Sequence, residues 1–120
     1  MGRTVLICDD AMFARASLRQ LLTRAGYEVI GEAENGHQAV AKYLELRPDV
    51  TTMDIVMPEM SGLDALGEIV KADAKARVVM CTAMGQEKLM TDAVNRGAKG
   101  VVVKPYAAEQ VLKALESALA

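Results

Sequence analysis

Tryptophan is absent from this chain, and its only aromatics are one Phe and three Tyr. A core made under that restriction has to be filled by Val, Leu, Ile, Met and Ala. With 52% hydrophobic and 25% charged residues, both kinds are plentiful enough for a globular domain. A length of 120 residues suits one well-covered core and not two. Positive charge is not in excess: 14 Lys and Arg face 16 Asp and Glu, a net charge of −2, so direct binding to a nucleic-acid backbone is not expected. No apolar run approaches the length of a membrane span, and Met1 to Leu6 forms no long apolar signal region. Leu6 also stands where a myristoylation signal needs Ser or Thr. A cytoplasmic protein without membrane insertion is the expectation. The single histidine, His37, has no Cys or His near it in sequence and reads as solvated surface, which leaves zinc without support. Cys8 and Cys81 lie in apolar, strand-like runs and read as small buried hydrophobes rather than a disulfide.

What the chain does contain is a regular alternation. Arg3 to Cys8, Tyr27 to Ala33, Val50 to Met53, Arg77 to Cys81 and Gly100 to Val103 are short runs rich in β-branched and apolar residues. Between and after them, apolar residues recur at helical spacing: Ala14, Leu18, Leu21, Leu22 and Ala25; Ala39, Val40, Tyr43 and Leu44; Leu63, Leu66, Ile69 and Val70; Leu89, Met90, Ala93 and Val94; Val111, Leu112, Leu115 and Leu119. In the first of these helices Arg15, Arg19, Gln20 and Arg24 are expected on the solvent side. Gly26 and Gly97 suit C-caps, and Asn35 and Ser61 suit N-caps. Strands alternating with helices predict an α/β domain with a parallel sheet and right-handed crossovers.

Asp9, Asp10, Asp54, Thr82 and Lys104 all stand at the C-terminal ends of apolar strands. Taken alone, Asp54 before a Pro58 and Gly62 loop is best read as a turn cap. In a parallel sheet, however, strand C-termini share one edge, where such sheets place their ligand sites. Turn caps have no reason to gather there. Three carboxylates at one edge repel unless a cation joins them, and a hard divalent ion such as Mg²⁺, or Mn²⁺ in its place, accepts carboxylate oxygens while leaving room for a phosphoryl oxygen. Lys104 adds a positive charge and Thr82 a hydroxyl. Asp54 is then placed as a carboxylate nucleophile able to form an acyl phosphate, with no general base for rapid hydrolysis beside it.

In their order and spacing, Asp9-Asp10, Met53 to Gly62, Thr82-Ala83 and Lys104-Pro105 resemble the receiver domains of two-component response regulators, in particular the chemotaxis members that consist of a receiver alone. The resemblance covers the whole chain. It implies a five-stranded parallel sheet in order 2-1-3-4-5 with five helices, doubly wound and flavodoxin-like, as one domain over 1–120 without an output domain. In that order strands 1 and 4 are not neighbours, so Cys8 and Cys81 are too far apart to bridge. Asp54 is implied as phosphoacceptor, Asp10 as direct metal ligand, Asp9 as ligand through water, and the Val56 backbone carbonyl as third ligand. Thr82 and Lys104 become the phosphoryl-contacting pair, and Lys104-Pro105 a cis peptide. A histidine kinase is implied as donor, with a flagellar motor switch protein and a separate phosphatase as further partners of a monomer that is a switch, not an enzyme. A phosphorelay intermediate or a receiver cut from a longer regulator is the alternative. An Mg-dependent aspartyl-phosphate phosphohydrolase is more remote, since Val56 stands where its second Asp belongs, and a flavin module would need a Gly- and hydroxyl-rich loop in place of Asp9-Asp10. The switch and partner surface takes in Met84, Val101 and Tyr106. Val101 departs from the family, which usually has Tyr or Phe three residues before the lysine, so the signal is expected to travel instead through the loop Ala83 to Gln86.

Overall fold

The computed structural model describes residues 2–83 and 86–120. Five parallel strands, β1 (Thr4–Cys8), β2 (Glu28–Ala33), β3 (Val50–Asp54), β4 (Val78–Ala83) and β5 (Gly100–Lys104), form one sheet in the order β2-β1-β3-β4-β5. Helices α1 (Met12–Arg24), α2 (Gly36–Leu46), α3 (Gly62–Ala72), α4 (Glu87–Asn95) and α5 (Ala108–Leu119) alternate with them. The expected doubly wound α/β fold is what the chain adopts.

The side-chain alternation of strands divides the core in two. Leu6, Cys8, Met53, Val78 and Met80 face α2, α3 and α4, while Val5, Ile7, Val50, Val79, Cys81 and Val102 face α1 and α5. β1 and β3 pair along Val5 to Cys8, and β3 and β4 along Thr51 to Asp54, so all three inner strands are covered on both sides. Cys8 and Cys81 are buried free thiols on opposite faces, in strands separated by β3. At the opposite edge from the acids, Thr4 and Asp49 tie β1 to the start of β3: Asp49 Oδ2 accepts from the Thr4 amide at 2.8 Å, and the Thr4 hydroxyl accepts from the Asp49 amide at 2.9 Å.

Caps end the helices largely where punctuation residues stand. Asn35 Oδ1 accepts from the Gln38 amide at 2.9 Å and Ser61 Oγ from the Asp64 amide at 3.2 Å, the first-turn N–H groups a helix cannot satisfy itself. Gly26 and Gly97 take φ of 95° and 109°, where a β-carbon would be strained. Several expectations need correcting. Helix α2 leaves through Arg47 at φ 45°; within it Leu44, expected in the buried stripe, is 40% exposed, while Leu46 packs on the core. Val94 is 58% exposed, and Ala25 is exposed too. β4 runs two residues past Cys81, because Thr82 and Ala83 keep pairing with Val103 and Lys104. Finally, Arg15 lies at 9% exposure, buried between α1 and β2. No described helix is long and apolar enough to cross a membrane.

Candidate functional site

Asp9 and Asp10 follow β1 directly, Asp54 closes β3, and Lys104 closes β5, so the parallel sheet delivers them to one edge. Each of the three acids offers a carboxylate oxygen within 4.8 Å of the others. Asp9, Asp54 and Lys104 also share side-chain parity with Ile7, Thr52 and Val102 of the α1/α5 face, which is why they meet. Lys104 Nζ donates to Asp9 Oδ2 at 2.7 Å and to Asp54 Oδ2 at 3.3 Å. Asp9 is held on every side: its amide donates to the Ala33 carbonyl at 3.0 Å, and its Oδ1 accepts from the Ala11 amide at 2.9 Å. Asp10 is exposed, and its carboxylate makes no hydrogen bond among the described residues.

Electrostatics mark Asp54 out. Burial pushes its carboxyl above the ordinary value; Lys104 pulls it down, but the charges of Asp9 and Asp10 add to the rise. Burial alone would lower Lys104, yet its bonds and charge pairing with Asp9 and Asp54 outweigh this and raise it, so it stays protonated at neutral pH. An all-oxygen donor set with one carboxyl under strain to ionise, and Lys104 the one amine bonded to these acids among the described residues, fits a hard divalent cation.

Thr82 belongs to the opposite parity. Asp54 pairs with Cys81, so the next residue of β4 directs its side chain to the α4 face with Met80. Its hydroxyl is buried, and its partner is the Ala83 carbonyl at 3.5 Å, the outer limit of a hydrogen bond. Val56, in the loop after β3, is 66% exposed. That loop is clamped at both ends: the Gly62 amide donates to the Ile55 carbonyl at 2.8 Å, and the Gly36 amide of α2 to the Met60 carbonyl at 2.9 Å. A β-carbon on Gly36 would lie 2.3 Å from the Met60 oxygen, and one on Gly62 1.9 Å from the Asp54 oxygen, so only glycine permits either approach. The Lys104–Pro105 peptide is cis. Val101 packs on the α3/α4 side of the sheet and Tyr106 on the α1/α5 side, so the sheet separates them. Tyr106 lines a groove with Phe13, Ala14, Ser17, Lys104 and Pro105, and burial raises its hydroxyl to about 12. Beside that groove Met12 and Phe13 stand 75% and 87% exposed. Met84 and Gly85 lie outside the described residues, and with them the centre of the loop expected to carry the signal. His37 is exposed at the start of α2.

A model of the response regulator receiver domain matches residues 5–116. The chain belongs to that family. The receiver is 53% identical to the chemotaxis protein CheY of Thermotoga maritima, with 96% of each chain covered. It is 51% identical to the CheY of Bacillus subtilis, with 99% of each covered. Among solved structures it matches a chain of the CheX-CheY-BeF3-Mg²⁺ complex from Borrelia burgdorferi at a TM-score of 0.94 and 38% identity, over 98% of this receiver and 90% of that chain. The resemblance carried by the motifs and the strand order agree with these relatives.

The residue that sequence reasoning missed at this edge is Arg15. Its signal was present: Arg15, Leu18 and Leu22 follow the i, i+3, i+7 spacing of the buried stripe. Charge alone assigns it to solvent.

Proposed function

We propose that this receiver is a phosphoacceptor switch in chemotaxis, phosphorylated on Asp54. The observation that carries it is the convergence of three carboxylates and Lys104 at one sheet edge, with Asp54 the acid whose ionisation is disfavoured. Asp54 Oδ attacks the phosphorus of a phosphohistidine; the P–N bond breaks as the P–O bond forms, and the departing imidazole takes up a proton from water. Asp10, exposed and without a hydrogen bond among the described residues, suits a direct metal ligand; Asp9, engaged by Lys104 and the Ala11 amide, suits contact through water; the Val56 carbonyl completes the set. Mg²⁺, or Mn²⁺, when bound there would neutralise the acids and the phosphoryl oxygens. Lys104 pairs with a phosphoryl oxygen once released from Asp9, and the Thr82 hydroxyl turns toward it from the α4 face.

The proposed donor is a histidine kinase of the CheA type and the proposed target a flagellar motor switch protein, a reading supported by two chemotaxis relatives whose length the chain matches over 96% and 99%. That coverage also supports reading residues 1–120 as one receiver domain. Val56, apolar and exposed, cannot orient an attacking water, which favours a long-lived phosphoryl group and a separate phosphatase. Intact-mass analysis with acetyl phosphate tests the core reading: an adduct is expected only with Mg²⁺ or Mn²⁺ and never in Asp54→Asn. An adduct of equal yield in chelator, or one that persists in the variant, overturns it. Retention of a flagellar switch peptide only in the presence of beryllofluoride tests the chemotaxis assignment.

A further inference from the structure

Arg15 is the buried cation of α1, and its guanidinium is spent on the backbone of the acidic pair. Nη1 donates to the Asp9 carbonyl at 2.7 Å in a buried bond, and Nε donates to Glu32 Oε1 on β2 at 2.9 Å. Nη2 lies 3.8 Å from Glu34 Oε2. The second oxygen of Glu32 accepts from Arg19 Nε at 2.7 Å, and the Glu32 backbone carbonyl accepts from Lys42 Nζ of α2. Burial pushes the Glu32 carboxyl up, but the bonds and charges of Arg19 and Arg15 outweigh it and hold the group below its ordinary range. The fork of Arg15 therefore has a fixed anchor on one side and the Asp9 carbonyl on the other.

That carbonyl belongs to the peptide joining Asp9 to Asp10. The Asp9 amide is already bonded to the Ala33 carbonyl at 3.0 Å, so the Arg15 bond fixes the plane on the other side of Asp9. The orientation of that plane sets the direction in which Asp10 leaves the strand end. Asp10 has no hydrogen bond of its own to set it among the described residues.

We infer that Arg15 is a positioning residue for the divalent-cation site: by holding the Asp9–Asp10 peptide against β2, it aims the Asp10 carboxylate at the ion. This rests on the reading of the acids as a Mg²⁺ site. A purely electrostatic role has the opposite sign, since a cation near the acids repels Mg²⁺ and its removal would tighten binding. A purely structural staple between α1 and β2 would change stability and leave the affinity of the folded protein alone.

Calorimetric titration of the full chain with MgCl₂ separates these. Arg15→Met should weaken Mg²⁺ binding about tenfold, the scale of loss when a group that orients a metal ligand is removed. Arg15→Lys keeps the charge but cannot bridge Glu32 and the carbonyl with one fork, so it should weaken binding to a similar degree. Tyr43→Phe removes a 2.8 Å bond to Asp73 far from the acids and should lower stability without moving Mg²⁺ affinity. Should Arg15→Met not fold, Arg15→Gln serves instead, removing the charge and the fork while keeping a polar side chain, with the same direction of loss expected. Binding as tight as, or tighter than, wild type in the folded variants overturns the role of Arg15 while leaving the metal reading intact. Failure of the wild-type chain itself to bind Mg²⁺ overturns the metal reading and this inference with it.

Discussion

Helices α3 and α4 cover the same face of the sheet, yet they are held very differently. Helix α3 buries Gly62, Leu63, Ala65, Leu66 and Ile69 and begins on a Ser61 side-chain cap. Helix α4 buries Ala93 alone, and its N-cap Gln86 makes no side-chain cap bond. The difference divides the labour. The loop that follows Asp54 and carries Val56 runs into the anchored helix and is clamped by Gly36 and Gly62, which keeps the acidic edge in shape. Thr82 and Val101 look instead toward the helix that has little to lose by moving. Segments with few buried apolar contacts are those that open at low free-energy cost, so a signal needing a responsive surface has its natural outlet at α4.

The largest test of this contrast is a pair of truncations. Leu66→Ala removes a fully buried side chain and should cost about 2–5 kcal/mol in urea denaturation, whereas Leu89→Ala, half-buried in α4, should cost under about 1.5 kcal/mol. Equal losses would mean that α4 is as firmly seated as α3. At the caps the same asymmetry should appear on a smaller scale: Ser61→Ala is expected to cost about 1 kcal/mol, and Gln86→Ala to change stability little.

Asp54 offers a third test, through pH. Its folded carboxyl titrates above the unfolded value, so between the two the native state binds the extra proton and stability falls as pH rises; above the folded value the penalty is complete. In chelator, Asp54→Asn should therefore raise the thermal midpoint at neutral pH, and the advantage should shrink as pH falls toward the ordinary carboxylate range. Saturating Mg²⁺ should diminish or reverse it. A variant less stable than wild type at neutral pH in chelator would show that Lys104 more than offsets burial and the neighbouring acids. That outcome would remove the strain that distinguishes this edge from the rest of the molecule.

These elements also show what a sequence discloses and what it withholds. The strands and the acidic edge were legible because both follow from local rules: β-branched runs, punctuation by Gly and Pro, and the shared edge of parallel strand ends. Less legible was anything decided by a partner distant in sequence. Arg15 occupies a core position because Glu32 and the Asp9 carbonyl satisfy its charge, and neither can be read from the helix. Leu44 and Leu46 compete for the end of one helix, and Leu46 is the one that packs beneath Gly31, where a β-carbon would fall 2.8 Å from its Cδ1. For Thr82 the strand end was visible, but its face depends on the pairing of Asp54 with Cys81.

The smallest effect, and the sharpest for the contrast, concerns Val101. Its half-buried side chain lines a groove of about 390 Å³ with Met90, Thr91, Val94 and Asn95 of α4, so the space beside β5 is open where an aromatic ring is usual in the family. Valine has one stiff χ1 and no reach beyond its branch, so it cannot swing between an inward and an outward position as a ring can. Val101→Tyr gives β5 a ring able to lie in that groove and bury apolar surface against α4. Amide hydrogen exchange across Glu87–Asn95 should then slow several-fold in the resting variant, while exchange in α3 stays unchanged. Adding beryllofluoride and Mg²⁺ should speed or slow α4 exchange in the native chain, and in the variant the change should extend to β5 because the ring must move with Thr82. If the native chain responds along β5 around Val101 while α4 exchange is unaffected, the loosely held helix is not the outlet, and the difference between α3 and α4 is one of stability alone.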